Sequence, residues 1–347
     1  MRKFTFFLFL LHLATFTVLE GQNRPSIYPN QLNSHRDLNP SAYCRPGINN
    51  QSRSRGLELS YRYIQGSQLE RDQDPNQGAF VEPITNRLSN LTLKTKFPIF
   101  LKPNLKVIGG YTHERELYDF DSFGDRDIFL YESIEQSVFK RNSFNLITSY
   151  SFNDRYYMVA SGQLSLNGNQ EAWIDSDKRF RNYNFILGFG NKRSQDFEWG
   201  VGAVLIHNLE NRNNVIPFLL FNKNISDRWG VEGTLPISFF VRHNPTSGTI
   251  LLSGVEYVSQ AYAMVNFDFV APDNYILDHG ELRFQLALEQ RIVPWVWLDV
   301  QVGYQLNFNN NLSVMGREDL LVQFDPKDTL FFKIGVFASP PDDVMNR

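Results

Sequence analysis

Only one cysteine, Cys44, occurs in 347 residues, so no intramolecular disulfide holds this chain together and paired-cysteine metal sites are excluded. Long apolar runs are also missing. Beyond the first twenty or so residues, one of the longest covers 215–221 and contains Pro217, far short of the ~20 apolar residues a membrane-spanning helix needs. Neither sign of charge dominates. A net charge of −3, with no concentrated basic face, gives no electrostatic footing for nucleic acid. Neither G-x-S-x-G nor H-E-x-x-H occurs, so no spacing selects a nucleophilic serine or a zinc pair. The pairs Gly188/Gly190 and Gly200/Gly202 lack the helix of a phosphate-binding loop and fit barrel-wall positions where a side chain would crowd a neighbour.

What is present begins at the amino end. Arg2 and Lys3 precede an apolar stretch at 4–18, and the small Gly21 follows, which is the layout of a cleaved secretory signal peptide. Residues 1–21 are therefore predicted to be the leader, with Gln22 opening the mature chain. From 22 to 55 the sequence is rich in Asn, Pro, Ser and Arg without apolar period, and such a segment cannot bury enough surface to order itself. The expectation is a flexible periplasmic arm. A barrel at 56–338 and a short tail at 339–347 complete the predicted organisation.

Period two governs the barrel segment, the signature of strands with one face in an apolar medium and the other wet. Leu57, Leu59, Tyr61 and Tyr63 alternate with Glu58, Ser60 and Arg62; Leu282, Phe284, Leu286 and Leu288 alternate with Glu281, Arg283, Gln285 and Glu289. A composition 14% aromatic and 42% hydrophobic with a mean hydropathy of −0.33 suits such half-buried strands. The pattern places strands near 57–65, 88–100, 104–113, 140–151, 156–167, 180–190, 197–207, 214–222, 229–240, 249–257, 261–270, 280–290, 295–307 and 329–337. That makes about fourteen, with twelve as the alternative. Connections alternate in length. Long ones at 66–87, 114–139, 168–179 and 308–328, with shorter members at 208–213, 241–248 and 271–279, are separated by tight turns such as 101–103, 152–155 and 258–260. Short periplasmic turns and longer external loops build bacterial outer-membrane barrels. Inside lipid each unpaired backbone group costs several kcal/mol, so the strands must close into a ring. The fold class predicted is all-β: a transmembrane antiparallel up-and-down β-barrel contacting outer-membrane lipid, with Tyr111, Tyr150, Phe152, Tyr156, Trp199 and Trp229 as interfacial aromatics.

The hairpins "NFILGFGNKRSQDFEWGVGAVL" and "PFLLFNKNISDRWGVEGTLP" resemble those of an uncharacterised domain-of-unknown-function family of outer-membrane barrels from Bacteroidota-type bacteria, over roughly 57–337. The resemblance implies location and fold; that family has no established activity to carry over.

For chemistry, the inner wall stands out. Glu58, Arg62, Lys94, Lys96, Lys106, Glu232, Glu281, Arg283, Glu289 and Asp299 all fall on the presumed lumen side. Mixed charge either polarises a water-filled channel for a small polar or amphipathic solute or pairs across the lumen and plugs it. A lipase-like rim is the enzymatic rival, with His243 or His279 beside Ser247 or Ser122, but polar rim residues account for these side chains and no catalytic residue is assigned. Asp119, Asp121, Asp125 and Asp127 have Phe123 where a calcium loop needs a ligand, so they read as a solvated acidic loop. No metal or cofactor is predicted. External loops offer a receptor or adhesin as a further alternative.

Overall fold

The computed structural model describes residues 46–71, 84–122, 128–169, 180–209, 213–268, 272–315 and 320–339. The predicted leader, the arm as far as residue 45, the loop residues 123–127 and the tail beyond Ser339 lie outside them.

The described residues form a closed antiparallel β-barrel. Its strands are β1 (Leu57–Arg71), β2 (Ile84–Leu101), β3 (Leu105–Ser122), β4 (Phe139–Ser151), β5 (Tyr156–Gly168), β6 (Arg181–Ser194), β7 (Phe197–His207), β8 (Asn213–Asn224), β9 (Trp229–Leu235), β10 (Ser238–Thr246), β11 (Thr249–Asp268), β12 (Pro272–Val293), β13 (Val296–Val314), β14 (Leu320–Pro326) and β15 (Thr329–Ala338). From β1 to β14 each strand pairs with the next in sequence, and β1 meets β15 from Leu57↔Ala338 to Ile64↔Phe331, which closes the ring. β14 and β15 occupy one position, interrupted at 327–328, because β13 pairs with both in succession. The ring therefore has fourteen staves. A short helix, α1 (Ile128–Gln136), follows β3.

Alternation dictates which face each side chain takes. Leu57, Leu59, Tyr61 and Tyr63 on β1, and Leu330, Phe332, Ile334 and Val336 on β15, are all exposed on the outside. Such a continuous apolar exterior around a polar interior is stable only against hydrocarbon. Phe152, Tyr156, Trp199 and Trp295 are likewise exposed near the tight-turn end, where amphipathic rings sit at a membrane interface.

The count of fourteen arises differently from the sequence expectation. The stretch 229–246 is a hairpin of two short strands turning at Pro236 and Ile237, whereas 249–268 is one strand. Pro236, which has no N–H to give a ladder, marks the turn that the reading of 229–240 as one strand overlooked. Conversely, Ser259 and Gln260 looked like a turn because they are polar. Gln260 instead points inward and donates to Glu114 Oε2 at 3.2 Å.

The wall is uneven in height. β9 has seven residues, against 20 in β11 and 22 in β12. Seven residues at ~3.3 Å each, tilted ~40°, cover only about 18 Å of an apolar band ~25 Å tall. β11 leaves its partner β10 at Ser238↔Glu256, continues upward and meets β5 in a parallel contact, Ala263↔Gly168. There Asn169 N–H donates to the Ala263 carbonyl at 3.1 Å and the Asn167 amide to that of Ala261 at 3.0 Å. Above this bridge a narrower ring continues without β6–β10. Its interior is packed solid by Phe120, Ile134, Phe139, Tyr262, Met264 and Leu312, all buried. On the other side of the same wall, Leu166, Phe180, Leu209, Ala263 and Ile276 form a second buried apolar cluster.

Candidate functional site: the barrel lumen

The ten charged residues expected in the lumen fall on the inner side of the ladder, and most of the ion pairs they make join adjacent strands or one strand, while Arg62–Glu281 crosses between strands that are not neighbours. Arg62 of β1 contacts Glu281 of β12 at 3.0 Å, and Arg283 joins the same carboxylate. Lys333 of β15 lies 3.1 Å from Glu58 and 3.4 Å from Asp299 of β13. Lys94 faces Glu58 in register on the adjoining strand. Lys106 is half-buried, and Lys96 is exposed near the tight-turn end. At the low hairpin, Glu232 pairs with Arg242 at 2.7 Å.

The residues ending the predicted arm are ordered against this wall rather than free. Arg55 reaches Asp299 at 2.9 Å, Glu289 at 2.7 Å and Glu58 at 3.0 Å. Burial alone would lower its pKa, but Asp299, Glu58 and Glu289 outweigh that and hold it above the usual arginine value. Ser52 N–H donates to Glu232 at 2.9 Å, and Gly47 N–H to Glu198 at 2.6 Å. Arg53 stacks over Trp297, and the Asn244 amide holds the Asn50 carbonyl at 2.9 Å. Residues 46–55 thus lie across the tight-turn end of the barrel, joining β7 and β9 to β12 and β13. The flexible-arm expectation gives way here because its cations and N–H groups meet buried carboxylates that the arm's own composition could not reveal.

Several partners in these networks were not among the predicted lumen residues: Arg55, Glu114, Glu116, Arg141, Glu198 and Arg242. Glu114 and Glu116 lie beyond the expected end of β3, where Glu114 pairs with Arg141 and Glu116 accepts from Tyr118 at 2.8 Å. Arg242 was assigned to a loop. Continuing the alternation one more turn of the pleat past His113 would have found the first two.

Among the described side chains, His243 and Ser247 are not brought into a catalytic pair. His243 lies against the Trp229 ring, 4.2 Å between centroids, while Ser247 accepts from Arg291 at 3.2 Å. His279 stacks on Tyr262 at 6.1 Å; the Ser122 side chain lies outside the described ones. His113 and His207 bond to Asn142 and Asn213 at 2.8 and 2.9 Å.

The inner wall has two unlike halves. From β12 through β13, β15 and β1 to β3, the inward side chains are largely polar or charged, and Glu58, Ser60, Arg62, Thr92, Glu281, Glu289 and Asp299 are buried. From β6 to β11, between the floor made by 46–55 and the Leu166/Phe180/Leu209 cluster, they are mainly apolar: Ile186, Val204, Ile216, Phe218, Phe240 and Leu252. Each of these six is only half-buried. The Phe218 ring takes up the space a side chain at Gly188 or Gly202 would need, and the Phe240 ring that at Gly254, so the glycines make room for rings close to the wall. The inner face of β6–β11 therefore keeps accessible surface.

No family model and no curated protein matches the chain. Among solved structures it is similar to the COG4313 outer membrane channel from Pseudomonas putida F1, at 12% identity and a TM-score of 0.40 over 90% of this chain and 100% of that one. It is also similar to outer membrane phospholipase A from Escherichia coli, at 13% identity and 0.37 over 84% and 100%. The NanC porin gives 8% identity and 0.37 over 82% and 100%. At such scores neither a channel nor a phospholipase activity follows, and the closed ring and apolar exterior rest on the chain's own geometry.

Proposed function

We propose that this protein is an outer-membrane barrel, exported by the signal peptide at 1–21, that takes a small polar or amphipathic solute into its lumen for passive passage. One observation carries the reading: the ring encloses inner surface along β6–β11 that its own side chains leave half-exposed. A barrel kept only as a structural element has no reason to leave that side unfilled.

Full-length protein reconstituted in planar bilayers is expected to give discrete conductance steps. A silent bilayer with protein shown to be folded would favour a second reading, a sealed barrel whose external loops act as receptor or adhesin. That reading draws on the Arg55 network at one end and the Phe139/Tyr262 packing at the other.

A further inference from the structure

We infer that the solute space is built for a single-chain amphiphile with an anionic headgroup, its apolar tail against β6–β11 and its headgroup toward the charged half. This deepens the proposed function and rests on it.

The tail side follows from composition and exposure together. Ile186, Val204, Ile216, Phe218, Phe240 and Leu252 face inward along neighbouring strands and are half-exposed. Apolar side chains stabilise a structure in proportion to the surface they remove from water, so a sequence that places six of them beside free space gains little from them until something apolar covers them. A purely polar solute would not.

The headgroup side follows from which member of each ion pair faces the free space. In Arg141/Glu114 the side-chain exposures are 23% and 6%, in Arg283/Glu281 14% and 3%, and in Lys333/Glu58 17% and 4%. The acid is the buried partner each time and the cation the accessible one, so the surface offered to a ligand is basic although the wall's formal charge is mixed. Arg242/Glu232 reverses the order, at 1% and 10%, but Ser52 already bonds that carboxylate. Half-buried Glu256 faces Arg283 in register. A carboxylate or sulfonate is therefore the complementary headgroup, held by charge-assisted hydrogen bonds.

The low wall places this space beside hydrocarbon. With β9 ending at Leu235 and β10 beginning at Ser238, residues 213–218 of β8 and 258–262 of β11 have no ladder partner on the facing side among the described residues. Pro217, lacking an N–H, and the clasp of Asn167 on the Ala261 carbonyl limit the exposed backbone at those edges. An amphiphile in the adjoining leaflet thus lies level with the apolar half of the lumen.

The test is equilibrium binding of radiolabelled laurate to full-length protein in phosphatidylcholine nanodiscs, counted against empty nanodiscs, with butyrate and dodecyltrimethylammonium as the contrasting probes. Saturable laurate binding at least ten-fold tighter than either contrast is expected. Phe218→Glu should weaken it ten-fold or more and Arg283→Gln several-fold, each in protein shown to be folded by heat-modifiable migration. Equal binding of butyrate and laurate would overturn the tail assignment, and equal binding of dodecyltrimethylammonium the headgroup assignment; both use unaltered protein. No saturable laurate binding alongside normal conductance sinks the amphiphile and leaves passage standing. Laurate binding in a silent bilayer does the reverse.

Discussion

The two halves of the lumen differ in what their side chains already have. Along β12, β13, β15 and β1 to β3, carboxylates are buried and paired with cations; along β6 to β11, aliphatic and aromatic groups line the wall and stop short of filling it. A buried charge is tolerable only when paired and hydrogen-bonded, so the first half must be complete to exist. An apolar wall carries no such demand. It can stay open and wait for a ligand, which is why the charged half reads as frame and the apolar half as site.

The largest test of that contrast removes Arg55. Arg55→Met takes from Glu289 the cation it pairs with and leaves Asp299 and Glu58 to Lys333 alone, and stranding buried charge costs about 3–5 kcal/mol. Urea unfolding in micelles, followed by tryptophan fluorescence, should show the loss, and limited proteolysis should cut within 46–55 in the variant alone. Next comes Glu281→Gln, which leaves Arg62 and Arg283 short of a carboxylate and should cost about 2 kcal/mol. It also adds net positive charge to the lumen, so reversal potentials in asymmetric salt should shift toward anion preference. An unchanged reversal potential would place the ion path away from β1 and β12.

How far this was legible from the residues depends on what alternation can see. Glu58, Arg62, Arg283 and Asp299 were readable because each sits between two apolar outward neighbours, and Glu281 and Glu289 because they continue the same alternation at its ends; pleating leaves such a residue one face to take. The tall strands were not. Beyond His113 and Phe308 the polar face continues but the outward face turns polar, having left the hydrocarbon, so the strands were read as ending there. The halves of the wall were readable only in part: Gly188, Gly190, Gly200 and Gly202 signalled crowding, but which ring fills the gap depends on Phe218, two strands from Gly188. Arg55 lay beyond local reading altogether, since its partners stand at positions 289 and 299.

Within the apolar half, Gly202→Leu probes the close approach. A Cβ at 202 would meet both the Leu187 carbonyl oxygen and the Phe218 ring. The ring can tilt but the carbonyl cannot leave its ladder, so overpacking of about 1–3 kcal/mol is expected, together with displacement of Phe218 into the lumen. Conductance should fall more than stability does, because the displaced ring occupies free space rather than a packed core.

The smallest effect should come from Ile216→Ser, and its smallness is the point. In a filled core, trimming an isoleucine so far would cost about 2–5 kcal/mol through lost burial and a cavity. Ile216 is half-buried on the inner face, next to Pro217 and beside the low hairpin, so much of its surface meets no protein in the unliganded barrel and no new cavity forms. A loss below about 1 kcal/mol is expected in urea unfolding of the ligand-free protein. With laurate bound, the same substitution should cost more, since the covered side chain then contributes its full burial, and the difference between the two unfolding midpoints measures that contribution directly. If Ile216→Ser destabilised the ligand-free barrel as strongly as a core truncation, the β6–β11 wall would be packed rather than open, and the distinction between frame and site would fail.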